Sequence, residues 1–252
     1  MLKAFLIFWS LLIGVSSAQG AKKVIHMVTF SAPPFMSEDL PEQGAGVYAF
    51  REIFRKANYE LKVTFAPYLR AKRLVLQEDR YAGFFPVSLF NHIPSELKMS
   101  KIIYQTPWVL AERKDKVINW QNPKDLVPFK IGTVTGYDIA PSFKDLYKSN
   151  KLKLEFTSSD ELNLLKLATK RVDLIFIEAG MFQFLTKTSP KLKEYREALQ
   201  VNKKIVQMDR YGLAFKKSPQ YLKYLETFNQ IAQEEEFNNL IQTYFRRYAV
   251  PF

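Results

Sequence analysis

The chain has 252 residues, a formal net charge of +12 and no cysteine. The missing cysteine excludes disulfides, thiolate metal sites and a cysteine nucleophile, and also lipid attachment through an N-terminal cysteine. The 37 basic residues are mixed with 25 acids along the chain instead of forming a stripe. The charge therefore reads as a solvated basic surface, and no nucleic-acid partner is expected.

Residues 1–18 follow the order of a secretory signal peptide: Lys3, an apolar stretch over 4–15, then the small residues Ser16-Ser17-Ala18. The apolar stretch is short for a membrane span, so cleavage near Gln19 is expected in preference to an anchor. No later segment is long and apolar enough to cross a membrane. About 234 residues then remain, enough for one large or two modest domains. An exported chain without anchor or lipid suggests a periplasmic location.

Strand-like and helix-like segments alternate from there. "KVIHMVTF" (23–30) predicts a strand, and "GVYAFREIFRKANY" (46–59) a helix with Val47, Phe50, Phe54 and Ala57 on one face. "LKVTFAP" (61–67) predicts a strand, "RAKRLVLQ" (70–77) a helix, "GFFPVS" (83–88) a strand, and "KIIYQTPWVLAERK" (101–114) a long apolar strand. A second round opens with "FKIGTVTG" (129–136), a strand ending in a glycine turn, with a helix starting near Tyr137. "LKLEFTS" (152–158) is the next strand, and Ser158 with Glu161 has capping-box spacing before the helical "LNLLKLA". The run "DLIFIE" reads as a strand buried on both faces that stops on a carboxylate, Glu178, before the helical "MFQFLTK". "YGLAFKK" (211–217) closes the strands; Ser218-Pro219 caps the following helix, and Phe237, Leu240, Ile241, Tyr244 and Phe245 mark the stripe of the last one. Two rounds of this kind argue for α/β lobes on mostly parallel sheets.

Local catalytic or cofactor chemistry is absent. His26 and His92 are far apart, no G-x-S-x-G elbow occurs, and "GAG" (44–46) lacks the third glycine of a phosphate loop. No cofactor and no metal is expected.

The order of segments resembles the bacterial periplasmic solute-binding proteins of the polar amino acid type, which serve ABC transporters. The likeness rests on "SAPPF" (31–35), "MSKIIYQTPWVLAERKD" (99–115), "VDLIFIE" and "YGLAFKK", and it covers nearly all of the mature chain. "PYLRAKRLVLQEDRYAGFFPV" further resembles a divergent branch. The resemblance implies a two-lobed fold with an inter-lobe cleft and two crossing strands, near Tyr104–Pro107 and Asn202–Arg210. Lobe one would comprise 19–107 and 204–252, and lobe two 108–203. Independently, open α/β sheets bind ligands at the carboxyl ends of their strands.

By that resemblance Glu178 matches the acid that holds the ligand's α-ammonium; the alternative is a helix-start acid satisfied by backbone N–H groups. Gly136, Tyr137 and Asp138 match a loop at a helix N-terminus that would contact an anionic group, although Asp138 could instead cap its own helix. Phe35 is a substitute wall, since the family's aromatic falls on Ala32. Tyr68 matches a stacking aromatic or is an ordinary surface or core tyrosine, and Ser88 lies near the family's strand-end hydroxyls. The arginine that clamps the ligand's carboxylate has no counterpart in "FNHIPSELK" (90–98); Arg70 either approaches the cleft in its place or is an exposed helix residue.

The function implied is capture of a small amine-bearing ligand by lobe closure, by a monomer that delivers it to ABC permease subunits. Two other roles of the same fold stay open at this stage. One is a periplasmic dehydratase, which would need a general acid and anion-holding arginines in the cleft; the other is a sensor that reports ligand to a membrane receptor.

Overall fold

The structure, a computed structural model, describes residues 22–90 and 92–251. The leader expected over 1–18 lies outside the described residues. The first half of the chain contributes β1 (Lys23–Thr29), α1 (Ala45–Lys56), β2 (Tyr59–Phe65), α2 (Tyr68–Gln77), β3 (Gly83–Ser88), a short β4 (Leu97–Met99) and β5 (Tyr104–Arg113). The second contributes β6 (Lys130–Val134), α3 (Lys144–Lys148), β7 (Lys153–Thr157), α4 (Asp160–Ala168), β8 (Leu174–Glu178), α5 (Ala179–Thr188), β9 (Leu199–Lys216), α6 (Pro219–Ile231) and α7 (Glu234–Tyr248). As the uninterrupted apolar runs predict, β3 and β8 are buried at every position.

Among the described residues nine strands form one mixed sheet, ordered β2-β1-β3-β9-β5-β8-β6-β7 with β4 against β9. β1 runs parallel to β2 and β3, and β6 parallel to β7 and β8. The two long strands β5 and β9 are antiparallel to each other and to β8, β3 and β4. The sheet is thus evenly mixed, not mostly parallel. The reason is that β5 and β9 bridge the two parallel halves, and each bridge must run against its neighbours. Pro86 lacks an N–H, and the ladder from β3 to β9 shifts register there, between Phe84 and Val87.

The last two helices return to the N-terminal half. Phe237 on α7 packs against Phe50 of α1 at 4.9 Å, Phe228 on α6 against Phe54 at 5.4 Å, and the Tyr244 hydroxyl donates to the Pro41 carbonyl at 2.7 Å. Val47, Phe50 and Phe54 are fully buried, as the helical spacing predicts, with Ala57 only half-buried. A second apolar cluster holds Leu110, Trp120, Ile131, Phe143 and Leu174 around β6 and β8.

Two local expectations are corrected. No helix starts near Tyr137: residues 137–140 are irregular, and a short 3-10 turn begins at Pro141. A residue before proline is driven out of the helical region, and Ala140 is extended with ψ 137°. The cap of α4 is Ser159, not Ser158; its hydroxyl accepts from the Leu162 N–H at 3.3 Å.

Candidate functional site: a cavity floored by the crossing strands

Side chains of a strand alternate between faces, so every second residue of β5 and β9 shares one side. On that side lie Tyr104, Thr106 and Trp108 of β5 and Gln207, Asp209 and Tyr211 of β9. The register sets them directly opposite one another: Tyr104 with Tyr211, Thr106 with Asp209, Trp108 with Gln207. These three rungs floor a cavity of about 90 Å³, room for several waters at roughly 10–15 Å³ each. Its walls come from both parallel halves: Phe30, Phe35, Tyr68 and Ser88 on one side, Tyr137, Asp138, Phe176 and Glu178 on the other. Phe30 follows β1, Ser88 ends β3 and Glu178 ends β8, so the cavity sits at the carboxyl ends of the strands.

Aromatic rings line it in a connected series. Phe30 meets Tyr68 edge-on at 4.8 Å, Tyr68 meets Tyr137 at 6.2 Å, Tyr137 meets Trp108 at 5.6 Å, and Trp108 stacks on Phe176 at 4.8 Å. Trp108 also donates through its indole N–H to the Tyr211 hydroxyl at 2.6 Å, and Tyr211 stacks on Tyr104 at 5.0 Å. Burial pushes the Tyr104, Tyr137 and Tyr211 phenols well above their usual range, so they act as neutral hydroxyls.

Three carboxylates reach the cavity, each in a different state. Glu178 is 7% exposed and serves as the N-cap of α5. Its two oxygens accept from the N–H groups of Gly180 at 2.9 Å and Met181 at 2.7 Å, and the Thr106 hydroxyl donates to it as well. An ionised carboxylate has about four acceptor sites, so about one is left for a ligand. Glu178 thus has the helix-start geometry that was its alternative reading, with backbone N–H groups on both oxygens. Burial raises its pKa, opposed by the three hydrogen bonds. Asp209 is 5% exposed; its Oδ1 accepts from the Ser88 hydroxyl at 2.6 Å and from the Arg210 N–H at 2.8 Å. Burial also raises Asp209, opposed first by Ser88 and then by the Tyr211 hydroxyl. Asp138 is exposed on the rim.

Behind the wall, Asp160 accepts from the Tyr137 hydroxyl at 2.8 Å, while its Oδ1 is buried without a protein partner. Burial raises Asp160 from 3.8 to about 7; the Tyr137 bond opposes this, and the charge of Glu178 adds to it.

At the rim the two halves touch. A Cβ placed on Gly136 would lie 2.9 Å from Leu69 Cγ at the start of α2, and the φ of +93° suits glycine in any case. The Lys72 ammonium sits 4.4 Å from the centroid of the Tyr68 ring; burial lowers its pKa, offset by the charge of Asp138.

Of the residues singled out from sequence, Phe35, Tyr68, Ser88, Tyr137, Asp138 and Glu178 line the cavity. Gly136 packs at the rim behind them. Arg70 is exposed and lies outside the lining, because it points away on the first turn of a helix whose buried positions are Ala71 and Val75. With no helix starting at Tyr137, the anion-holding helix end expected there is missing, and Asp138 has no helix of its own to cap. Sequence reasoning missed the whole floor. The period-two spacing of Tyr104, Thr106 and Trp108 was available as a signal; the isolated Asp209 had none.

No protein-family model matches the sequence, and no curated protein matches it. Solved structures do match. The GluR0 ligand-binding core from Nostoc punctiforme, in complex with L-glutamate, superposes with a TM-score of 0.69 at 17% identity, covering 90% of this chain and 100% of that one. Holo ArgBP from T. maritima gives 0.65 at 20% identity over 88% and 96% of the two chains. The substrate-binding protein of an amino acid ABC transporter gives 0.64 at 17% identity over 89% and 98%. The chain therefore has the fold of bacterial solute-binding proteins of the amino acid type. No helix among the described residues is long and apolar enough to cross a membrane.

Proposed function

We propose that this chain is a periplasmic solute-binding protein that captures a small amine-bearing ligand by closing two lobes over it and presents it to ABC permease subunits. What carries this reading is the cavity itself: its floor is three rungs of the bridging strands, and its walls come from both parallel halves. The lobes are 19–107 with 204–252, and 108–203, the first 18 residues being a leader that is removed. Bridging strands that bend let the walls separate, and a ligand that touches both walls shifts the population toward the closed form. The acids at the cavity suit an ammonium, each charge-assisted hydrogen bond being worth roughly 1.5–3 kcal/mol.

A thermal-shift screen of amines and amino acids tests the proposal. Ligand at 100 times its dissociation constant adds about 2.7 kcal/mol, which raises the melting temperature by roughly 5–10 °C in a protein of this size. Small-angle scattering of the same complex should show a smaller radius of gyration than the free protein. A screen in which no amine-bearing solute stabilises the folded protein overturns it. Mass spectrometry of exported protein should find a start close to Gln19; full-length, membrane-bound chain alone would refute the leader.

A further inference from the structure

Accepting that the cavity binds an amine, we infer that its ligand is an organic cation that carries no carboxylate group. Among the described residues the lining includes three acids, Asp138, Glu178 and Asp209, and no lysine, arginine or histidine. Two of those acids are nearly inaccessible to solvent. A ligand carboxylate placed between them would meet like charge in a region where water cannot screen it, and isolated buried charge is strongly disfavoured.

Several of the usual compensations are engaged elsewhere. The Gly180 and Met181 N–H groups at the start of α5 are taken by Glu178. The Ala45, Gly46 and Val47 N–H groups at the start of α1 are taken by the carbonyls of Pro34 and Phe35. The Lys72 ammonium lies over the Tyr68 ring and feels the charge of Asp138 at the rim. Gln207 on the floor offers a neutral amide only.

The same lining suits a cation in two ways. Asp209 sits in the middle rung, where its Oδ1 accepts from Ser88 and the Arg210 N–H and the Tyr211 hydroxyl is a further partner, which leaves it acceptor capacity for a ligand. The connected rings from Phe30 to Phe176 offer π systems, which attract ammonium and guanidinium groups more strongly once these are desolvated. Burial raises the pKa of both Asp209 and Glu178, and a bound cation would favour their ionised forms. The acids thus work as selectors: they hold the amine and repel the acid end of an amino acid.

Matched pairs that differ only by a carboxylate decide the matter: agmatine against arginine, phenethylamine against phenylalanine, cadaverine against lysine. Calorimetric titration at pH 7.5 should find at least one amine bound ten times more tightly than its amino acid. Asp209→Asn should weaken that amine at least tenfold, and Asp138→Asn, at an exposed position where folding is not at risk, at least threefold. An amino acid that binds as tightly as its amine, or more so, overturns the inference but leaves the solute-binding proposal standing; the anion would then lie at the first turn of α2. Folded protein that binds no member of any pair counts against both.

Discussion

Asp160 is the first residue of α4, where the helix dipole favours a negative charge by roughly 0.3–1 kcal/mol. Burial acts the other way and wins, raising its pKa from 3.8 to about 7. A carboxyl whose folded pKa exceeds its unfolded one contributes stability that is fully present below the unfolded value. That contribution is lost as pH rises through the folded value. At about 1.36 kcal/mol per pH unit, the whole displacement is worth about 4 kcal/mol, and about 2.7 kcal/mol of it falls between pH 5 and pH 7. Asp160→Asn keeps the shape and an oxygen that can accept from Tyr137, but cannot ionise. The variant should therefore gain on the parent as pH rises from 5 to 8, by about 2.7 kcal/mol, or roughly 5–10 °C in melting temperature. Glu178 and Asp209 shift in the same direction, so the quantity to follow is the difference between variant and parent in urea unfolding at each pH. A difference that is the same at pH 5 and pH 8 would refute the reasoning.

Glu178→Gln replaces an acceptor facing two backbone donors with a group that can accept from only one of them. Ligand-free stability should fall by about 1–2 kcal/mol, measured by urea unfolding at pH 7; an unchanged midpoint would mean that the cap carries no weight. Gly136→Ala puts a methyl against Leu69 at a positive φ, which should weaken binding of a ligand found by screening about tenfold while circular dichroism shows an intact fold. Arg70→Ala should leave that affinity unchanged in calorimetry, since the side chain is exposed and outside the lining. Binding of a cation should release protons in the range where the raised carboxyls Asp209 and Glu178 titrate, because it lowers their pKa; titration in buffers of different ionisation enthalpy measures this.

The alternation of strands and helices was legible in the residues because hydrophobic periodicity is local. β3 falls on 83–88 as its apolar run predicts, and the stripe of α7 buries Phe237, Ile241, Tyr244 and Phe245 as its spacing requires, with Leu240 only half-buried at its edge. The glycine turn at 136 and the strand-end position of Glu178 were legible for the same reason. What Glu178 does there was not. Both of its readings, ligand acid and helix cap, need the same residue in the same place; the first turn of α5 and the Thr106 hydroxyl decide how much of the carboxylate is left. The floor was further out of reach. Thr106 and Asp209 are about a hundred residues apart, and only the register of β5 against β9 puts them opposite each other. Register between distant strands is set by what the whole sheet buries. Composition and spacing in one segment cannot encode it, and the charge of the cavity, three acids with no base among the described lining residues, is known only once β8, β9 and the loop after β6 are brought together.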